Sequence, residues 1–262
     1  MPKRNQKYQD RQKPLPLRKL LVYPVVLSIS NYIILAFLFT AFVALFPLVL
    51  AMPLDIGGLG LDPPEIGYII SLNGVVGAIF QVLYFAPIVR RFGERKVFIM
   101  ATSTLSPIFL LLPVINMAAV AFGKRSPVVW MIIFVLLACL AFLNFAFGKF
   151  YTNVCLPICL ICLGIIYMYI TASAPNKRSL GATNGLSQTT ASVAKAIGPA
   201  LSTSLFSFCV QRNILGGYGV YGFFTALSIC ALYLATRLPL RVWDESDDDS
   251  DSQSMSSGHS GP

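Results

Sequence analysis

Residues 181–208 read GATNGLSQTTASVAKAIGPALSTSLFSF. The stretch is long enough to cross a bilayer as a helix, which takes roughly 20 residues. It carries no acidic residue, yet it holds Asn184, Gln188, Ser192 and Lys195, side chains that are costly in hydrocarbon. At about 100° per residue, Gln188 stands about 40°, Ser192 about 80° and Lys195 about 20° from Asn184. These four share one narrow face. Ala194, Gly198 and Ser202 fall on another, a small-xxx-small ridge that lets a neighbouring helix come close. One face reads as the lining of a polar seam, the other as a packing surface. An ionisable residue inside a span is a functional candidate by default, which singles out Lys195. In the competing reading Lys195 snorkels or bonds a neighbouring carbonyl, and only fixes helix packing.

The rest of the chain agrees with a bilayer setting. Of 262 residues, 56% are hydrophobic and 12% charged, and the mean hydropathy is +0.71; a soluble domain carries about 25% charged residues. The composition is that of an integral, multi-pass membrane protein, all-α, a polytopic helical bundle. A basic cytoplasmic tail is expected over residues 1–20, a helical membrane domain over 21–240 and an acidic disordered tail over 241–262. The net charge of +9 is no nucleic-acid footprint, because the basic residues gather at segment ends, where topology is set. Membrane lipid, not nucleic acid, is the expected partner. The apolar segment after residue 20 is too long for a signal-peptide core and lacks a cleavage site, so it is expected to stay in the mature protein.

The six cysteines, Cys139, Cys155, Cys159, Cys162, Cys209 and Cys230, lie in or beside apolar runs, where the thiol serves as a small hydrophobe. Cys155, Cys159 and Cys162 have a spacing that could be drawn as a metal cluster. The single histidine, His259, stands in the tail with no carboxylate near the three thiols, so neither a metal nor a cofactor is expected.

Six spans follow from the apolar runs. They cover about 27–51, 66–89, 97–120, one crossing within 128–171, 181–208 and 220–238. Between the first two, MPLDIGGLGLDPPEIG reads as tight turns ending in an N-cap at Asp62, with Pro63, Pro64 and Glu65 in the first helical turn. Pro107 and Pro113 should kink the third span. The region 128–171 is about twice the length of one crossing. Its excess reads as an insertion over 149–163, and a translated retained intron is one origin for it. With both termini cytoplasmic, fifteen Lys/Arg face inward and three outward, which favours six crossings over seven.

Three stretches carry a resemblance. GGLGLDPPEIGYIISLNGVVGAIFQ (57–81), FAPIVRRFGERK (85–96) and SAPNKRSLGATNGLSQTTASVAKAIGPALSTSLFSF (173–208) look like parts of the C-terminal half of a major facilitator superfamily transporter. The branch they resemble is the fungal and plant drug:proton-antiporter-like one, related to the zinc-induced facilitators. The resemblance covers about residues 20–240. It implies one six-helix half of a transporter built from two such halves. It further implies transport of a small-molecule solute, coupled to protons, in a plasma or vacuolar membrane. The basic loop departs from the family's first-half motif, with Arg90 where that motif places an aspartate. No acidic proton carrier is evident within the spans. The partners implied are a solute, lipid and a second half, either a missing N-terminal half or a second copy.

The candidate solute pathway comprises Asn31, Tyr32, Asn73, Gln81, Asn184, Gln188 and Lys195. Amides both donate and accept, which suits varied solutes, and Lys195 would favour an anionic group. Each amide could instead be interhelical glue worth on the order of 1 kcal/mol. Gly74, Gly77, Gly181, Gly185, Gly198 and Pro199 read as packing or bending points. Arg90, Arg91, Gly93, Arg95 and Lys96 form an expected cytoplasmic anchor and gate contact, or a plain positive-inside loop. An enzyme is not expected: the spans hold no histidine, no carboxylate pair, no G-x-S-x-G and no nucleotide-binding glycine loop. The rival to a transporter is a non-transporting membrane protein, or a half that must associate with another six-helix half.

Overall fold

A computed structural model describes residues 23–147, 165–173 and 179–238. Both expected tails, the 149–163 insertion, Lys149 and the Cys155, Cys159 and Cys162 triplet lie outside the described residues. Among those described, eight α-helices account for nearly all the regular structure. They are α1 (Tyr23–Ala51), α2 (Pro63–Phe92), α3 (Glu94–Ser103), α4 (Leu105–Phe122), α5 (Pro127–Phe147), α6 (Ile165–Ala172), α7 (Leu180–Gln211) and α8 (Gly219–Thr236). Six helical stretches are long and apolar enough to cross a membrane. A helix satisfies its own backbone hydrogen bonds, so it is the form an apolar run takes in hydrocarbon.

The third crossing is two helices, not one. The break falls at Thr104, three residues before Pro107, and the pieces together give the crossing Arg95–Phe122. A proline ring clashes with the carbonyl four residues back, here that of Ser103, and removes that bond. In the fourth region α5 is, among the described residues, the helix of crossing length, and α6 begins at Ile165.

α1 is the hub. It carries no charged residue over Tyr23–Ala51 and contacts α2, α4, α6, α7 and α8. Its most extensive neighbour is α7. The α7 face turned inward is Thr183, Ser187, Ala191, Ala194, Gly198 and Ser202, all small, before Phe206 and Cys209. A Cβ added at Gly198 would stand 2.5 Å from Thr40 Oγ1 and 3.2 Å from the Phe37 carbonyl oxygen. The two backbones touch there because nothing larger than hydrogen intervenes. On the other side of α1, Phe42 packs edge-on to Phe109 of α4 at 6.0 Å, and Phe109 stacks on Phe224 of α8 at 5.2 Å. Ser106 and Ser228 share a hydrogen bond of 2.8 Å between α4 and α8.

One end of the bundle is closed by the 52–61 loop. Gly57 and Gly60 have φ of +92° and +60°, and a Cβ at Gly58 would lie 2.0 Å from the Met52 carbonyl oxygen. Only glycine fits such a turn. The Leu59 and Leu61 amides donate back to the Val49 and Leu50 carbonyls. Asn116 of α4, 1% exposed, clamps the loop from below. Its Nδ2 donates to the Gly58 and Leu54 carbonyls at 2.6 and 3.2 Å, and its Oδ1 accepts from Tyr218 Oη at 2.6 Å. Lys124 Nζ donates to the Gly60 carbonyl at 3.0 Å. The Glu65 carboxylate accepts from the Asp62 amide at 3.2 Å, the reach-back bond of a capping box at the start of α2.

At Gly93 the chain turns from α2 into α3 with φ +80° and ψ 152°, a region open in practice to glycine alone. Arg90, Arg91 and Lys96 around it are exposed. Arg95 is half-buried and donates to the Thr236 carbonyl at 2.5 Å, tying the start of α3 to the last turn of α8. A cation there also complements the negative end of the helix dipole.

Candidate functional site

The close α1–α7 contact sets two side chains against each other. Tyr32 of α1 is 1% exposed. Lys195 of α7, half-buried, donates from Nζ to the Tyr32 hydroxyl at 3.3 Å, and its Nζ lies 5.5 Å from the Tyr32 ring centroid. The same hydroxyl meets Tyr167 Oη of α6 at 2.5 Å and Gln188 Oε1 of α7 at 3.4 Å. A phenol has one proton and two lone pairs. Tyr32 can therefore accept from Lys195 and Tyr167 while donating to Gln188, and all its capacity is used.

The hydrogen-bond partner of Lys195 among the described residues, the Tyr32 hydroxyl, is neutral. The acidic residues among those described, Asp55, Asp62, Glu65 and Glu94, stand in loops or in the first turn of a helix. No described carboxylate pairs with the ammonium. Gln188 and Ser192 on the same side of α7 are exposed, and Asn184 is half-buried. Polar, uncovered side chains on a helix of crossing length call for water or another protein surface beside them, since lipid tails offer no hydrogen bonds.

The remaining pathway residues lie elsewhere. Asn31 is 4% exposed and donates to the Leu27 carbonyl at 2.9 Å and to the Leu234 carbonyl of α8 at 3.4 Å, away from the lysine. Asn73 and Gln81, both on α2, line a separate cavity of about 800 Å³ between α1, α2 and α5, together with Asn144 of α5. Gly77 lies under Asn144, whose Nδ2 would be 3.2 Å from an added Cβ. At Gly74, Gly181 and Gly185 an added Cβ would meet no atom within 4 Å, so close packing among the described residues does not require these three glycines. Pro199 sits within α7, and its carbonyl accepts from Thr203 Oγ1 at 2.8 Å and from Ser202 Oγ at 3.0 Å.

The structure also places Tyr167 and Asn144 at these sites, and sequence reasoning missed both. Tyr167 stands in the apolar run IIYMYITA beyond the insertion, and its partner on α1 is distant in sequence. Asn144 is an amide in an apolar run, the same signal that marked Asn73. Among the described residues no group of three His, Cys, Asp or Glu side chains could hold a metal. Cys139, Cys209 and Cys230 are free thiols.

No family model matches the chain, and no solved structure matches it. Curated proteins do. A major facilitator-type transporter, psiT2, of Psilocybe cyanescens is 30% identical over 212 residues, 79% of this chain and 38% of the relative. The psiT2 transporter of Psilocybe cubensis is 25% identical over 86% of this chain and 42% of the relative. A major facilitator superfamily multidrug transporter, mfsB, of Aspergillus fumigatus is 24% identical over 79% of this chain and 32% of the relative. The chain thus spans less than half the length of these curated relatives. It is an integral, multi-pass membrane protein that is similar, over about four-fifths of its length, to major facilitator-type transporters.

Proposed function

We propose that the protein carries a small solute across a membrane as a proton-coupled secondary transporter of the drug:proton-antiporter-like branch, and that this chain corresponds to a C-terminal six-helix half. A second half, supplied by another segment or by a second copy, covers the exposed polar side of α7. Both termini face the cytoplasm, in the plasma or the vacuolar membrane. The observation that carries the reading is the half-buried Lys195 ammonium held by the Tyr32 hydroxyl at 3.3 Å, on a helix whose neighbouring amide Gln188 is uncovered. The resemblance of the relatives, all named as transporters, supports the same direction. In alternating access two bundles rock about a polar site near the midplane. Within such a site Tyr32 positions the ammonium, Lys195 attracts an anionic group of the solute, and Gln188 and Asn184 offer it hydrogen bonds.

Lys195→Ala tests this in the assembled transporter. Loss of a charge-assisted contact should shift apparent solute affinity by about tenfold or more while abundance stays close to wild type. If abundance collapses and the surviving protein transports normally, Lys195 is a packing residue. Single cysteines at positions 184, 188 and 195 should react with water-borne reagent in at least one transport state; a face sealed from water in every state removes the pathway.

A further inference from the structure

At the end of the bundle away from the 52–61 loop, cations gather at one corner. Arg90, Arg91 and Lys96 are exposed around the turn at Gly93, and Arg237 is exposed just past α8. The bond from Arg95 to the Thr236 carbonyl, 2.5 Å, holds these two groups together. One acid, Glu94, stands among these five cations in the sequence. The other described acids, Asp55, Asp62 and Glu65, belong to the far end of α2, where Glu65 is about 38 Å along the axis from Arg90. The chain beyond Leu238 carries the complementary charge. Residues 244–251 read DESDDDSD, six acids in eight residues with no cation among them. Asp244 is six residues past Leu238, a reach of up to about 20 Å, and Asp251 is thirteen past it, up to about 45 Å. Arg90 is five residues from Arg95 and so within about 18 Å of it. The acidic run therefore reaches every cation of the corner.

We propose that residues 244–251 dock on this corner, across the α2–α3 turn and the end of α8, and serve as its internal counter-ion. Six like charges in one block repel one another until cations neutralise them. An exposed ion pair is weak alone, but the tether holds the acidic run at an effective concentration of about millimolar. The corner's cations stand on or beside helices that are already packed, so docking orders the acidic run and nothing else. Anionic lipid is drawn to the same cations. An anionic headgroup layer repels the acidic run, however, and the docked run in turn screens the corner from that layer. The segment thus takes a place that a plain positive-inside loop would leave to lipid. This docking depends neither on transport nor on the side of the membrane that the corner faces.

The test is carbodiimide crosslinking of the full 262-residue chain in phosphatidylcholine nanodiscs, read by peptide mass spectrometry. The reagent joins a carboxylate to a lysine amine that touches it. Lys96 should link to residues 244–251, within one chain when light and heavy isotopic copies are mixed. An exposed ion pair contributes a factor of about 1.5 to 5, so Arg90→Gln, Arg91→Gln and Arg237→Gln together should slow this link about tenfold. All three side chains are exposed, so the variant should fold. Lysine at the same three positions keeps the charge, and the summed links at 90, 91, 96 and 237 should match or exceed the wild-type yield. Raising NaCl from about 0.05 M to about 0.5 M should slow the wild-type link several-fold. The link should persist in an equal mixture of phosphatidylcholine and phosphatidylglycerol. Insensitivity to both salt and the three glutamines would mean random collision of a tethered chain. Loss in the phosphatidylglycerol mixture would give the corner to the membrane. Links confined to Lys3, Lys7, Lys13, Lys19 or Lys177, links at Lys124 at the opposite end, or links only between isotopically different copies would place the acidic run elsewhere. Each of these results overturns the proposal.

Discussion

Replacing Gly198 by alanine tests the contact on which the whole arrangement of α1 and α7 rests. The added Cβ would stand 2.5 Å from Thr40 Oγ1, about 1 Å inside ordinary van der Waals contact. The threonine cannot yield at no cost, because its hydroxyl donates to the Ala36 and Phe37 carbonyls at 2.9 and 3.1 Å. Behind it lie two atoms that do not rotate at all, the Phe37 carbonyl oxygen at 3.2 Å and the Ala41 nitrogen at 3.4 Å. The helices must therefore separate locally. Overpacking a well-filled interface costs about 1–3 kcal/mol, and we expect Gly198→Ala near 2 kcal/mol, roughly in the middle of that range. Thr40→Ala removes the nearest atom and leaves the two looser contacts. The double variant Thr40→Ala, Gly198→Ala should then recover about half of the loss, a coupling of about 1 kcal/mol in a double-mutant cycle. Equilibrium unfolding in mixed micelles, followed by circular dichroism, supplies the four free energies. Gly198→Ala within about 0.5 kcal/mol of wild type, or additivity of the two changes, would refute the reasoning.

Further outcomes follow from the loop and the helix ends. Asn116→Leu removes three hydrogen bonds in a site that is 1% exposed and should cost about 3 kcal/mol, with Tyr218→Phe costing about 1 kcal/mol, both read from the same unfolding measurement. Gly58→Ala drives a Cβ to 2.0 Å from a backbone carbonyl, so the 52–61 loop must open; hydrogen exchange should accelerate at the Leu59, Gly60 and Leu61 amides while the α1 core stays protected. Gly93→Ala, at φ +80° and ψ 152°, should cost about 1–3 kcal/mol even though its Cβ meets no atom, which isolates backbone strain from packing.

The spans and the two-faced character of α7 could be read from sequence because both rest on periodicity within one helix. A polar residue every third or fourth position needs no knowledge of neighbours, and neither does a ridge at Ala194, Gly198 and Ser202. The loop glycines were equally legible, since φ near +92° at Gly57 excludes other residues by local sterics. Lateral order was not legible. Whether Asn31 turns toward Lys195 or toward α8 depends on which helix lies beside α1, and periodicity carries no trace of that. Asn31 and Tyr32 are adjacent in the chain, about 100° apart on the helix, and so serve different neighbours. The same limit hid Tyr167, whose significance comes entirely from a hydroxyl on α1. It also hid the division of the polar residues into two places, because Asn73 and Gln81 give the same signal as Asn184 and Gln188.

Lateral order also decides what the lysine can do. Had the helix beside Lys195 offered a carboxylate, the pair would have been neutral, and removing either member would chiefly have cost stability. Tyr32 supplies instead a neutral acceptor, its hydroxyl, which bonds the ammonium without cancelling its charge. A phenol already committed to Tyr167 and Gln188 cannot readily swing away. The proposed role of Lys195 toward an anionic group rests on this pairing with a neutral hydroxyl in place of a carboxylate.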